Sequence, residues 1–504
     1  MNYFVSLQRI LIKITILRTI IRLLLLFAFV LNAEAQNPKY EVRAVWLTTI
    51  GGIDWPHTYA SSPHSIDKQK RELTDILDQL RQANINTVLI QARVRATTIF
   101  PTQTEPWDGC LSGKPGTSPG YDALQFAIDE CHKRGMQCHA WIVTIPVGKW
   151  NNYGCKQLRQ KYPKLIVKIG DEGYMDPEKA ETGDYLARFC REVTRRYDVD
   201  GIHLDYIRYP ETWKLKVSRQ QGRQNITSIV RKIHQAVKAE KPWVMLSCSP
   251  IGKYDDLSRY KSYGWNANTT VCQDAQGWLR DGLMDALFPM MYFQGNHFYP
   301  FLVNWKEHAY DRIIAPGLAV YMLHPREKNW PLEVIQREMY VLREQGLGHT
   351  FFRSKFLTDN TKGAYTFTKD FNQYPALVPP MSWTGKQAPS APQKVDLKRG
   401  MTMDALSWSS GRDLAGGDYL LYNIYASETY PVDINDSRNL IAVRQRNTSL
   451  RVNHGGKTFN YAITAIDRYG NESRPLMTVK AAEKSRRPIN IRQLIVGKSS
   501  KLKK

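Results

Sequence analysis

Asp205 closes the polar face of the stretch Asp198–Pro210, which reads DVDGIHLDYIRYP. If Asp200–Tyr206 is a strand, its side chains alternate between two faces. Ile202 and Leu204 then share an apolar face suited to packing under helices, and His203 and Asp205 share the other. Arg208 and Tyr209 follow at once in what reads as a loop. A carboxylate at the C-terminal end of a strand is where an α/β barrel does its chemistry. There it can act as a nucleophile or as a base, and the neighbouring Arg208 is expected to hold it ionised. A partner that donates a proton must stay protonated near neutral pH, so it wants an apolar surround. Glu105, flanked by Pro106 and Trp107, is the first candidate, and Asp54, beside Trp55, is the second. No HExxH motif, Ser-His-Asp signature or metal-ligand cluster stands out, so neither metal nor cofactor is expected.

A rigid frame must hold such a carboxyl. Eight strands are predicted: 41–49, 86–93, 136–144, 200–206, 243–249, 284–292, 312–321 and 348–354. Helical periodicity separates most of them, at 65–83, 121–134, 184–197, 225–240, 275–281 and 332–345. Ser65 is read as the cap of the first helix. This alternation predicts a (β/α)8 barrel over residues 39–375 rather than an open doubly wound sheet, because Gly51-Gly52 is not a phosphate-binding turn. On the inward face the pattern places Gln91 and Arg93 on the second strand, His139 and Trp141 on the third, and Ser249 on the fifth. The long loop from Val94 to Gly120 carries Glu105 and Trp107, and loops of that length are usually functional or disordered.

At 504 residues the chain is too long for one ordinary domain, and its formal charge is +23. Basic residues before the apolar run Leu23–Leu31, then Ala33-Glu34-Ala35, predict a signal peptide over residues 1–35. That run is too short to span a bilayer, so no stable membrane span is expected after cleavage. Prolines at 375, 379, 380, 389 and 392 mark a linker over 376–390. Residues 391–481 carry short strands without helices, as in a β-sandwich of fibronectin type III kind with Trp408 and Tyr461 in its core. A basic tail, 482–504, favours anionic cell-wall material. Export and the lack of a nucleic-acid module argue against a nucleic-acid partner. The seven scattered cysteines form no CxxC pair, and one or two disulfides are compatible with export.

Set side by side, these stretches resemble a known family. RAVWLTT, Asp54–Pro56 (DWP), Glu105–Trp107 (EPW), Pro119–Leu124 (PGYDAL), His132–Trp141 (HKRGMQCHAW), Gly201–Pro210 (GIHLDYIRYP), Cys248–Gly252 (CSPIG) and AIDRYGNES follow one another in order. The series is similar to the glycosyl-hydrolase-like family 10 of bacterial envelope proteins. The resemblance implies a barrel acting on glycans, and hydrolysis of peptidoglycan glycan strands, including strands stripped of peptides. Ala96-Thr97 stands where the family commonly has Gly-Asp, and Asp205-Tyr206 where many members have two acidic residues. Glycoside hydrolysis normally uses two carboxyl groups, one protonating the leaving oxygen and the other attacking or activating water. Trp46, Trp55, Trp107, Trp141, Tyr209 and Tyr292 are candidate platforms for sugar rings. His139 and His203 are candidate donors to hydroxyls, and Gln91 and Arg93 candidate ligands of an N-acetyl or acidic group. The rival reading is a glycan-binding barrel without turnover.

Overall fold

A computed structural model of the chain describes residues 37–258, 260, 262–385 and 387–479. The predicted signal peptide and the basic tail lie outside them. The chain builds β1 (Arg43–Leu47), β2 (Thr87–Arg93) and β3 (Gln137–Val143). A small antiparallel sheet then interrupts the series, made of β4 (Pro146–Lys149), β5 (Ile166–Ile169) and β6 (Glu172–Met175). The series resumes with β7 (Gly201–Asp205), β8 (Met245–Cys248), β9 (Ala286–Leu287), β10 (Ile313–Ile314), β11 (Gly317–Leu318) and β12 (His349–Phe351). The main sheet runs β10-β9-β8-β7-β3-β2-β1-β12-β11, all parallel. Because β10 and β11 are two halves of one segment, the sheet closes on itself. Ile313, Ala315 and Gly317 donate to the β9 side, while Ile314, Pro316 and Leu318 accept from the β12 side. Each of the eight predicted strands is therefore a stave of a closed α/β barrel.

Alternation sorts the side chains as the strand pattern requires. Val45, Leu47, Val88, Ile90, Ile202 and Leu204 pack outward against the helices. Ala44, Trp46, Leu89, Trp141, Met245 and Phe288 fill the interior. The first helix, Pro63–Gln82, starts two residues earlier than expected. Ser62 is its cap, and Ser65 is the reciprocal partner of a capping box. Leu73, Leu77 and Leu80 of that helix are fully buried, each worth roughly 2 kcal/mol.

The second unit has a three-stranded antiparallel sheet, β13 (Gln393–Lys398), β14 (Met403–Ser409) and β17 (Ser449–Asn453). A four-stranded sheet faces it, with β16 (Leu440–Gln445), β15 (Leu421–Ser427), β18 (Asn460–Ile466) and β19 (Leu476–Met477). Trp408, Ile424, Tyr461 and Ile463 sit between the sheets. This unit docks on the N-terminal end of the barrel. Met381 of the proline-rich segment and Tyr469 of the sandwich enter the same apolar cluster as Val42, Met245 and Ile313. Around that plug, Arg468 pairs with Asp198 at 2.6 Å and Arg444 with Asp200 at 2.6 Å. Asp200 is buried, yet Arg444, His132 and Arg468 together overcome the burial and hold its carboxyl well below the ordinary range. One end of the barrel is thus sealed by polar pairing, and the C-terminal end is left for chemistry. All seven cysteines are free and buried, so no disulfide forms. No helix among the described residues is long and apolar enough to cross a membrane.

His349, in β12, is fully buried with neither ring nitrogen hydrogen-bonded, and it packs beside Phe351 and Phe371. Glu41, Arg43 and Arg343 surround it. Burial pulls its pKa down to about 3, against an ordinary value of 6.5. Below pH 6.5 the unfolded chain takes up a proton that the folded chain refuses, so stability is lost as pH falls. A His349→Leu variant escapes this charging penalty. Its stability relative to wild type should improve by about 2 kcal/mol between neutral pH and pH 5. Denaturant melts at the two pH values check this, and parallel pH curves would show that the ring does not fold as neutral imidazole.

Candidate active site

Asp205 ends β7 at the open mouth of the barrel, buried except for 7% of its surface. Three donors hold its carboxylate. Ser249 Oγ and the Tyr206 N–H reach Oδ1 at 2.9 and 2.8 Å, and the Trp141 indole Nε1–H reaches Oδ2 at 3.1 Å. These groups come from β3, the end of β8 and the residue after β7 itself. Tyr206 makes its contact by taking a left-handed backbone conformation, φ 54, which is uncommon for a bulky residue. Burial raises the Asp205 pKa, and Ser249, Arg208, the Tyr206 N–H and Trp141 oppose the rise without cancelling it. The expected control by Arg208 is thus outweighed by desolvation. An indole and an amide can only donate, so the site is shaped for the ionised form, while its dryness makes that form a stronger base.

Arg208 lies between Asp205 and the following loop. Its guanidinium stacks 4.5 Å from the centre of the Tyr206 ring and donates to Glu211 Oε1 at 2.7 Å. Tyr292 faces the same space. Burial raises its hydroxyl pKa, with Tyr321, Asp205 and Tyr206 adding electrostatically. Tyr292 also packs against Tyr321 and Phe352, at ring-centre distances of 5.7 and 5.3 Å. The mouth therefore gathers Asp205, Trp141, Arg208 and Tyr292 from the sequence candidates, and adds Tyr206, Glu211, Tyr321 and Phe352. Glu211 had a sequence signal, being a carboxylate in the loop that follows the Asp205 strand. The two aromatic residues from the seventh and eighth staves had none.

Other candidates sit elsewhere. A register shift in the β2–β3 pairing lies between Gln91 and Arg93. It turns Arg93 to the outer face beside Ile142, where strict alternation had placed it inside. There Arg93 binds Glu105 through Nε at 2.9 Å and Nη2 at 2.6 Å. It also donates to the carbonyl oxygens of Val143 and Thr144, and stacks on Phe189. Tyr185 adds a 2.7 Å hydrogen bond to Glu105. Glu105 is accordingly a sealed partner of a buried cation, not a proton donor at the mouth. Trp107 packs on the outer layer and lines a cavity on the barrel flank.

Asp54 is also structural. Its Oδ2 accepts from the Thr48 N–H and hydroxyl at 2.9 and 2.6 Å, and its Oδ1 pairs with Arg353 beyond β12. It staples the ends of two neighbouring staves and has no free face. Trp55 is fully buried, donating to the Gln69 carbonyl at 2.8 Å. Gln91 points inward as expected, but its Oε1 is taken by the backbone N–H groups of Thr49 and Ile50. His139 and His203 are buried inside the barrel below the mouth. His203 Nε2 accepts from the Trp46 indole at 3.2 Å, so Nδ1 carries the hydrogen toward Ser247 Oγ at 3.0 Å. Burial holds His203 neutral, its pKa well below the ordinary imidazole value, and pulls His139 down to about 4. Tyr209 is buried against Trp213, and its hydroxyl accepts from Asn225 at 3.1 Å. All of these side chains are buried.

Residues 41–221 and 212–301 match the family described as Glycosyl hydrolase-like 10, slightly over half of the chain. The chain belongs to the glycosyl hydrolase-like 10 family. By that family it is a glycoside hydrolase. It is 27% identical over 492 residues to the Glycosyl hydrolase YngK of Bacillus subtilis, covering 88% of this chain and 93% of that one. It is 30% identical over 296 residues to the Glycosyl hydrolase DigH of Escherichia coli K12, covering 52% of this chain and 67% of that one. Among solved structures, an alpha-L-fucosidase isoenzyme 2 from Paenibacillus thiaminolyticus superposes with a TM-score of 0.44 at 15% identity, covering 66% of this chain and 49% of that one. A departure noted above has a visible geometry. Ala96 occupies φ 58, where glycine sits without strain, and the Thr97 hydroxyl donates to Asp108 at 2.6 Å.

Proposed function

We propose that the protein is an exported hydrolase of peptidoglycan glycan strands, working through the carboxyl pair Asp205 and Glu211. The observation that carries this reading is the cage around Asp205, a dry carboxylate fixed by three donors at the open end of a barrel of this family. Asp205 attacks the anomeric carbon or activates the water that does. Glu211 supplies the proton to the leaving oxygen. To do so it must leave its ion pair with Arg208, and Glu211 is half-buried, with 19% of its side chain exposed, at the rim of the mouth. Arg208 is itself buried, with 2% of its side chain exposed, so opening the pair leaves a buried cation, and the neighbouring Asp205 carboxylate is the charge that compensates it. The partly exposed Tyr206 and Tyr292 offer ring faces to the apolar faces of the sugars, above the buried Trp141. The leader before Gln36 supports export to the periplasm or beyond, and the basic tail supports contact with anionic cell-wall polymers. The resemblance to the family supports the peptidoglycan substrate.

The sandwich reads as a fibronectin type III-like domain. Its sheet orders, the buried Trp408 and the 2.8 Å bond from the Tyr461 hydroxyl to Asp404 support that assignment.

The test is release of reducing ends from purified, de-peptidated glycan strands. Glu211→Gln should lower turnover by about 10²- to 10⁴-fold. On an aryl glycoside with a good leaving group, which needs little protonation, the same variant should lose far less. Equal losses on both substrates, or no loss on either, would remove Glu211 from the proton-donor role.

A further inference from the structure

Three cavities run together along one flank of the barrel. The largest, about 660 Å³, lies between the loop 101–107 and the outer face of the helix Ala180–Arg196. A second, about 490 Å³, shares Thr102, Thr104 and Lys161 with it and reaches Ala96 and Gly154. Ala96 follows β2 on the catalytic side, and Gly154 lies in the helix Tyr153–Lys161 that packs against it. A third, about 460 Å³, shares Arg188 and Arg191 and continues to Lys232 on the next helix. The trough therefore starts beside the mouth and descends the flank.

Its charge is mostly positive: Glu105 in the second cavity is already bound by Arg93, and Asp184 in the third is paired with Lys232 at 2.6 Å. Lys161, Arg188, Arg191, Arg195 and Arg196 line the main cavity against a single carboxylate, Glu192. That carboxylate is already engaged by Arg196 at 2.7 Å and by Thr102 and Thr104 at 2.9 and 3.0 Å. Arg188 and Arg195 have no carboxylate within ion-pair distance among the described residues. They stand two helical turns apart on one face, about 10 Å along the axis. An ordinary solvated helix face alternates its signs and is convex. This one is concave, predominantly positive with each lining carboxylate already paired, and floored by the half-buried Trp107. Planar guanidinium groups recognise carboxylates in a bidentate manner. The hydroxyls and amides of the connecting loop suit the hydroxyls of a sugar chain, and no ladder of exposed rings is present for stacking nucleic-acid bases.

We propose that this trough is a secondary binding site for a carboxylate-bearing glycan, holding a strand on the flank while another part of it enters the mouth. The proposal rests on the reading that the mouth cleaves glycans. Binding of labelled polygalacturonate to the full chain at low ionic strength tests it, with the methyl-esterified polymer and single-stranded DNA as comparisons. The variant Arg188→Gln/Arg195→Gln should bind polygalacturonate about tenfold more weakly than wild type. The variant Lys369→Gln/Lys398→Gln removes the same charge elsewhere and should bind as wild type does. The methyl ester should bind poorly. Equal losses in both double variants, unchanged binding in the arginine variant, or a preference for the ester or for DNA would each overturn the site. Asp205→Asn should bind the polymer normally. Arginine-dependent binding by a protein that cleaves no glycan would sink the hydrolase reading and leave the trough standing, while cleavage with arginine-independent binding would do the reverse.

Discussion

Replacing Asp205 with Asn is expected to lower turnover on glycan strands by at least about a thousandfold, with little change in stability. The amide cannot attack an anomeric carbon or deprotonate water. Its NH₂ group also meets the Trp141 indole N–H donor to donor if it takes the place of Oδ2. Stability should stay within about 1 kcal/mol, because the lost bond is offset by removing a charge from a dry site. A Ser249→Ala variant sharpens the point. Ser249 donates to the Asp205 carboxylate and lowers its pKa against the pull of burial. Without it the carboxyl protonates at higher pH, so the acid limb of kcat/KM should move upward. Asp205→Asn turning over at near wild-type rate would place the chemistry on another residue. An unmoved acid limb in the serine variant would show that Asp205 does not titrate in the rate profile.

Glu105→Gln should instead be a folding variant. Arg93 is fully buried and takes most of its compensation from Glu105, in contacts of 2.6 to 3.0 Å. Removing one member of a buried pair leaves an uncompensated charge, typically worth about 3–5 kcal/mol. The melting temperature should fall steeply, while the fraction that remains folded should cleave at the wild-type rate. A partial rescue by Arg93→Met in the Glu105→Gln background would follow, since the charge to be compensated is then gone. If Glu105→Gln folds normally and loses turnover selectively on substrates with poor leaving groups, the proton donor is Glu105 after all.

The amino-acid sequence determined the staves, most of their inward and outward faces and the place of Asp205 at the end of its strand. These follow from period-two alternation and from the rule that barrel chemistry sits where strands end. The same reasoning misplaced Arg93, because one register shift in β2 reverses every face after it, and no residue type announces a bulge. Glu105 moved with it, from proton donor to counter-ion. Asp54 and Trp55 looked chemical because a carboxylate beside an indole has the same letters in a cleft and in a staple. Only the tertiary structure could separate them, by bringing Thr48 after the first stave and Arg353 after the last, far apart in the chain, onto one carboxylate. It alone brought Tyr321 and Phe352 to the mouth, since aromatic packing across staves depends on which strand ends meet in space. It also decided that the sandwich seals the N-terminal face, through pairs such as Arg468 with Asp198 that lie 270 positions apart. The alternation of a strand is written locally, but the partner of a buried charge is chosen by closure of the barrel.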